Sequence, residues 1–248
     1  LRTSSSAASV VIPTLAGALA NRKSVEPLAG LLSQKPPWAS RFWEAVAIAP
    51  EAIGNAARLR ERLYTDNEAK ESFRDLNLIN ALVNNKRFET AENLYQLLAG
   101  QRKEASLLKN GSFEREPEFP PLDWQFFSNG DYGAVITGGN LRLSAIPSSG
   151  GLFARQLVKL PSAILKISVK SNTSIPKDAN ISIDIKCAEI LNNAPRPIRI
   201  ALTDELTRQQ ISNQQSGCSF YWLEVVGRSA EGRDGFDVDL DSISLQIE

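Results

Sequence analysis

Two hydrophobic periodicities divide this chain. Over the first hundred residues the apolar positions recur every three or four, the spacing of one helix face. "SRFWEAVAIA" at 40–49 sets Phe42, Val46 and Ala49 on such a face, and "PEAIGNAARLRERLY", opening at Pro50, does the same with Ala56, Leu59 and Leu63. Thr65-Asp66-Asn67-Glu68 has the spacing of a capping box and starts a third helix, in which Phe73, Leu76, Asn80 and Val83 run to about Asn84. "KRF" at 86–88 turns into a further helix with Ala91, Leu94, Tyr95 and Leu98 as its apolar stripe and Gly100 as its stop. Pro36 and Pro37 break whatever precedes the hairpin at 34–46. "VVIPTLAGALA" at 10–20 reads as a small-residue helix packed on its neighbours. It is too short to span a bilayer and carries Pro13, although its Ala-Leu-Ala ending imitates a signal-peptidase site.

From residue 106 the period changes to two. Trp124 and Phe126 alternate with Gln125 and Phe127, Leu141 and Leu143 with Arg142 and Ser144, and Ile181, Ile183 and Ile185 with Ser182, Asp184 and Lys186. "SFYWLEVV" at 219–226 and "DSISLQI" at 241–247 add further strands, with no helical period between. The boundary is expected near 100–106. The fold class is α+β as two separate domains: all-α helical hairpins over 1–104 and an antiparallel β-sandwich over 105–248. "KNGSFE" at 109–114 supplies Asn-Gly turn chemistry, and the chain ends in the carboxylate-rich "DVDLDSISLQIE". If these two ends of the sandwich pair edge to edge, Glu114, Asp239 and Asp241 converge. They then repel unless protonated, solvated or bridged by a cation, for which calcium is suited.

Composition narrows the chemistry. Lys plus Arg and Asp plus Glu both total 28, so the basic excess that drives nucleic-acid binding is missing. With no histidine at all, Ser-His and Cys-His catalysis is excluded. The 42% hydrophobic content is that of a globular chain, and the lack of any methionine is expected of a trimmed or mature form. An enzyme of this composition would have to work through carboxylates alone, drawn from Glu114, Asp123, Asp131, Glu224 and Asp241, as glycosidases do.

Residues 78–98 resemble one helix-turn-helix unit of the tetratricopeptide type, with Leu82, Phe88, Ala91 and Tyr95 near that family's packing positions. The family's turn glycine is missing at Asn85 or Lys86, and no second copy follows at a fixed period, so an ordinary αα-hairpin is the other reading. The succession "LLKNGSFE", "PPLDWQFFSNGDYGAVI", "LRLSA", "GGLFARQLVKLPSAILKISVKS" and "VDLDSISL" resembles the galactose-binding-like jelly rolls of carbohydrate-binding modules over about 105–248. That resemblance implies a core Trp at Trp124 and a structural calcium ion held by Glu114 and Asp241. The family's frequent second Asp is Ser242 here.

It also implies a glycan or polysaccharide ligand. Flat rings stack on the C–H faces of sugars while polar side chains bond the hydroxyls. The candidate rings are Phe127, Tyr132, Phe153, Tyr221 and Trp222, and the ligand set is Phe127, Tyr132, Arg142, Arg155 and Gln156, with Arg155 and Gln156 in the segment "ARQ". Cys187 and Cys218 are either two buried thiols or a disulfide between neighbouring strands. The disulfide suits the exported, periplasmic or otherwise extracytoplasmic protein that the resemblance implies. The expected function is non-catalytic carbohydrate recognition in envelope or exopolysaccharide production. The helical domain would dock a protein partner, and neither nucleic acid nor a membrane span is involved. A protein-interaction scaffold without a sugar site is the alternative.

Overall fold

The computed structural model describes residues 5–65, 72–100, 106–189, 196–212 and 217–248, with backbone alone for 5–8 and 72. Asp66, Asn67 and Glu68 of the expected capping box, and positions 101–105 of the expected boundary, lie outside the described residues. The chain divides into two compact units, Leu1–Arg102 and Lys103–Glu248.

The first unit holds six helices among the described residues: α1 (Ser5–Ala18), α2 (Val25–Leu32), α3 (Ala39–Ala47), α4 (Ile53–Leu63), α5 (Ser72–Asn84) and α6 (Phe88–Ala99). Helices α1, α3 and α5 touch in succession, as do α2, α4 and α6, and α5 packs on α6. Phe42, Val46, Ile53, Leu59, Ile79, Leu82 and Leu94 are fully buried between them. The expected helix faces hold for α3 and α6 but not for α5. There the inward stripe is Asp75, Leu78, Ile79, Leu82 and Val83, whereas Phe73 is 69% exposed. A polar residue belongs to this stripe because Asp75 meets Arg60 of α4 across the unit. Nε and Nη2 donate to Oδ1 and Oδ2 at 2.7 and 3.1 Å, with both side chains 1% exposed. Lys86, at one of the two positions where a turn glycine would stand, takes a left-handed φ of 56° between α5 and α6. Among the described residues no helix is long and apolar enough to cross a membrane.

The second unit is a β-sandwich of two five-stranded antiparallel sheets. Its strands are β1 (Gln125–Phe126), β2 (Tyr132–Thr137), β3 (Asn140–Ala145), β4 (Gly150–Lys159), β5 (Ile164–Ser171), β6 (Ala179–Cys187), β7 (Ile198–Ala201), β8 (Leu206–Ser212), β9 (Phe220–Ser229) and β10 (Phe236–Ile247). The sheet orders are β1-β4-β9-β6-β7 and β2-β3-β10-β5-β8. Alternate residues of each strand enter one shared core: Leu141 and Leu143 from β3, Leu165, Ile167 and Val169 from β5, Ile181, Ile183 and Ile185 from β6, Tyr221, Leu223 and Val225 from β9.

The two ends of this unit do meet. Leu107 N–H donates to the Leu245 carbonyl, and Ile243 N–H to the Gly111 carbonyl, each at 2.8 Å. A Cβ at Gly111 would run into the Ile243 carbonyl oxygen, which accounts for glycine in the "KNGSFE" turn. The Asn110 carbonyl next to it accepts from Trp124 Nε1 at 3.1 Å, and Trp124 is fully buried against Phe113.

Candidate functional site

Side chains that leave the core on the β1-β4-β9-β6-β7 sheet form its outer face. Strand register alone lines up Gln125, Arg155, Glu224, Asp184 and Arg199 in one row across the five strands. Trp222 stands in the next row, between Leu157 and Lys186. Phe127 continues the outward parity of Gln125 just past β1, and its N–H is fixed by the Phe153 carbonyl at 2.9 Å.

The polar groups of this face are tied to one another. Arg199 donates twice to Asp184, at 2.8 and 2.6 Å, and the Ser182 hydroxyl donates to the same carboxylate at 3.1 Å. Lys186 Nζ donates to Glu224. Arg155 Nε donates to Gln125 Oε1 at 2.8 Å, and the guanidinium lies over two rings, its Cζ 4.4 Å from the centroid of Trp222 and 5.3 Å from that of Phe127. The remaining outward charges of these strands are Lys159 and Arg228. Burial lowers the Arg155 pKa from its ordinary value, and the charge of Glu224 works in the other direction.

Burial by itself would raise the Asp184 carboxyl. Hydrogen bonds from Arg199 and Ser182, with the charges of Arg199 and Lys186, leave it below the usual carboxylate range. A carboxyl held lower in the folded state than in the unfolded chain stabilises above the unfolded pKa, about 3.9 for Asp. That contribution fades as pH falls through the folded value. Asp184→Asn is therefore expected to lower the urea midpoint at pH 7 and to converge with the native protein as pH drops below about 4. A constant difference from pH 7 to pH 2 would show that the loss is one of packing rather than charge.

The expected ligand residues are divided among four places. Phe127 and Arg155 meet on the face just described. Gln156 points the other way: it is fully buried and bonds the Lys109 backbone on both sides, accepting from N–H at 2.9 Å and donating to the carbonyl at 2.8 Å. The β4 register shifts between Leu152 and Ala154, and beyond that bulge Ala154, Gln156 and Val158 face inward while Arg155 faces out. Arg142 is not beside Phe127 but belongs to the other sheet, paired with Asp239 through Nε–Oδ1 at 2.8 Å and Nη2–Oδ2 at 2.9 Å. Tyr132 packs on Phe153, ring centroids 5.1 Å apart, and lines a shallow cavity of about 420 Å³ with Asp131, Ile146 and Asp237. Phe153 and Tyr221 are core residues. Trp222 and Glu224 complete the cluster with Phe127 and Arg155; they share the parity of exposed Arg228 in β9.

Carboxylates at the sandwich end are met by cations of the protein itself. Asp241 accepts from Lys170 Nζ at 3.2 Å and from Asn172 Nδ2 at 3.3 Å, while Glu114 is exposed. Asp123 is buried against Arg115, and its Oδ1 accepts from Trp124 N–H at 2.9 Å. Among the described residues, the one grouping of at least three possible metal ligands is Cys187, Glu189 and Cys218, and its two sulfurs are bonded to each other.

The chain matches no protein-family model and no curated protein. Among solved structures it is similar to TmCBM61 in complex with β-1,4-galactotriose, at 18% identity and a TM-score of 0.39 over 58% of this chain and 100% of that one. It is also similar to the CBM22-1 xylan-binding domain from Paenibacillus barcinonensis, at 15% identity and a TM-score of 0.36 over 60% and 97% of the two chains. A third likeness is to the accessory secretory protein 1, 2 and 3 structure of Streptococcus pneumoniae, at 12% identity and a TM-score of 0.35 over 52% and 98%. At these identities no residue's role carries across.

Proposed function

We propose that the β-sandwich binds carbohydrate on the outer face of the β1-β4-β9-β6-β7 sheet and does not catalyse. The observation that carries this is the assembly of Phe127, Arg155 and Trp222 beside a row of polar side chains already held in place by mutual hydrogen bonds. Ring edges and faces suit the C–H surfaces of a sugar, and fixed N–H donors suit its oxygens. The indole N–H of Trp222 has no acceptor among the described residues, so it adds a donor on the same surface. Side chains ordered before the ligand arrives lose little entropy on binding.

A non-catalytic role is supported by the fates of three of the five candidate carboxylates. Asp123 is sealed in the interior with Arg115, Glu224 is tied to Lys186, and Asp241 is tied to Lys170. The Cys187–Cys218 bond supports an extracytoplasmic setting, where such bonds persist. The two rows of helices in the first unit support a tetratricopeptide-like docking role for that unit.

A glycan array with the intact chain, followed by calorimetry, tests the reading. The expected dissociation constants are micromolar to millimolar, on the order of 4–8 kcal/mol. Trp222→Ala is expected to weaken binding by about 10- to 100-fold, or roughly 1.4–2.8 kcal/mol, with the near-ultraviolet circular dichroism otherwise retained. Tyr132→Ala, at a separate place, is expected to leave affinity unchanged once folding is verified. Binding that survives Trp222→Ala would move the site elsewhere, and no binding to any glycan would favour the protein-scaffold alternative.

A further inference from the structure

Arg155 is a side chain of the proposed glycan site that is fixed in place and still has two donor nitrogens to offer. Its Nε is occupied by Gln125, and its plane lies against the Trp222 and Phe127 rings. Among the described residues, nothing accepts a hydrogen bond from Nη1 or Nη2. The neighbouring carboxylate, Glu224, lies directly opposite in register and is engaged by Lys186. The second carboxylate of the face, Asp184, is engaged by Arg199 through two hydrogen bonds.

The surface therefore carries more cationic donors than carboxylate acceptors. Its strands turn outward Arg155, Lys159, Lys186, Arg199 and Arg228 against Asp184 and Glu224 alone. A neutral sugar offers hydroxyls that need acceptors as much as donors. A carboxylate offers only acceptors, and its two oxygens match the paired N–H groups of a guanidinium fork. A guanidinium held between rings is fixed in orientation before the ligand comes, and a partly buried one discriminates more strongly than a solvated lysine.

Resting on the glycan-binding reading, we infer that the preferred ligand is an acidic glycan, one carrying uronate carboxylates. Arg155 Nη1 and Nη2 receive a carboxylate bidentately, and Trp222 packs beside the sugar ring. Charge complementarity across the whole face favours a polyanionic chain over a single acidic sugar.

The experiment compares matched polymers on the full chain: polygalacturonate against its carboxyl-reduced neutral counterpart, glucuronoxylan against arabinoxylan, and poly-glutamate as a charged polymer without sugar. The acidic member of each sugar pair is expected to bind at least 10-fold more tightly, several-fold less so when NaCl rises from 50 to 500 mM. Poly-glutamate is expected to bind at least 10-fold more weakly than polygalacturonate. Arg155→Gln is expected to weaken binding of both members, but by at least 10-fold more for the acidic polymers than for the neutral ones, with Arg155→Lys restoring only part because a lysine cannot form the fork. Equal binding of acidic and neutral members, or an equal loss of both in Arg155→Gln, overturns the acidic preference and leaves glycan binding standing. Should the variants unfold, the native protein alone decides: affinity for the acidic polymers that does not fall with salt overturns the preference. Poly-glutamate binding as tightly as the acidic sugars, through Arg155, overturns the glycan reading as well, as does binding to none of the sugar polymers.

Discussion

Trp124→Ala is expected to destabilise the β-sandwich by about 3–5 kcal/mol, the range for removing a large aromatic from a well-packed interior. The side chain has no solvent exposure, lies against Phe113 with ring centroids 5.5 Å apart, and donates its indole N–H to the Asn110 carbonyl. Its removal opens a cavity and takes one of two donors from the Asn110 carbonyl, which Phe113 N–H also serves at 3.2 Å, in the turn that brings the 106–111 segment alongside β10. Trp124→Phe separates the two effects: most of the volume stays while the donor goes, and because Phe113 N–H still serves the Asn110 carbonyl the lost hydrogen bond is expected to cost about 0.5–1.5 kcal/mol. Urea unfolding of the intact chain, followed by near-ultraviolet circular dichroism, measures both. A loss below about 1 kcal/mol for the alanine variant, well short of the cavity range, would mean that the segment between Asn110 and Trp124 does not contribute to the cooperative core.

Opening the Cys187–Cys218 bond should have a comparable effect. The bridge joins the end of β6 to the start of β9 across a sequence separation of 31, and on the chain-entropy account closing such a loop in the unfolded state is worth about 3–4 kcal/mol. The paired substitution Cys187→Ala with Cys218→Ala is expected to lose that much, and reduction of the native protein by a dithiol should reach a similar midpoint. The bond lies one register pair beyond Lys186–Trp222, so glycan affinity measured well below the unfolding transition reports whether the bond also helps to hold that edge of the proposed site. An unchanged midpoint after complete reduction, verified by thiol titration, would show that strand pairing already restrains this loop.

The site residues differ in how far they can be read from their neighbours. Phe127 is outward by simple alternation with Gln125, whereas Arg155, two residues after the core residue Phe153, faces out only because of the bulge at Leu152/Ala154. Trp222 can be placed among candidate rings but not singled out, because "SFYWLEVV" is apolar on both parities and offers no contrast between its faces. Gln156, next to Arg155, reads as an equal candidate until the bulge at Leu152/Ala154 is seen. One extra residue on one strand reverses the parity of all that follows, and nothing in "GGLFARQLVK" announces it. Arg142 alternates as expected on its own strand, but that strand belongs to the other sheet.

What the sequence by itself determined is local: the change of hydrophobic period near residue 100, the αα-hairpin through 78–98, and the alternating strands of the second unit. Periodicity records which face of one element meets the core, and each element carries that record alone. Partner choice is not local. Asp75 looks like a helix-surface residue until Arg60 arrives from α4, and this is why periodicity misplaces the inward face of α5 around Phe73. Likewise the strand orders β1-β4-β9-β6-β7 and β2-β3-β10-β5-β8 decide that residues 127, 155, 222 and 224 share one surface while 142 lies on the other sheet. Only the tertiary structure could settle that, because contacts between residues tens of positions apart are selected by the packing of the whole core and leave no periodic trace in the strands that make them.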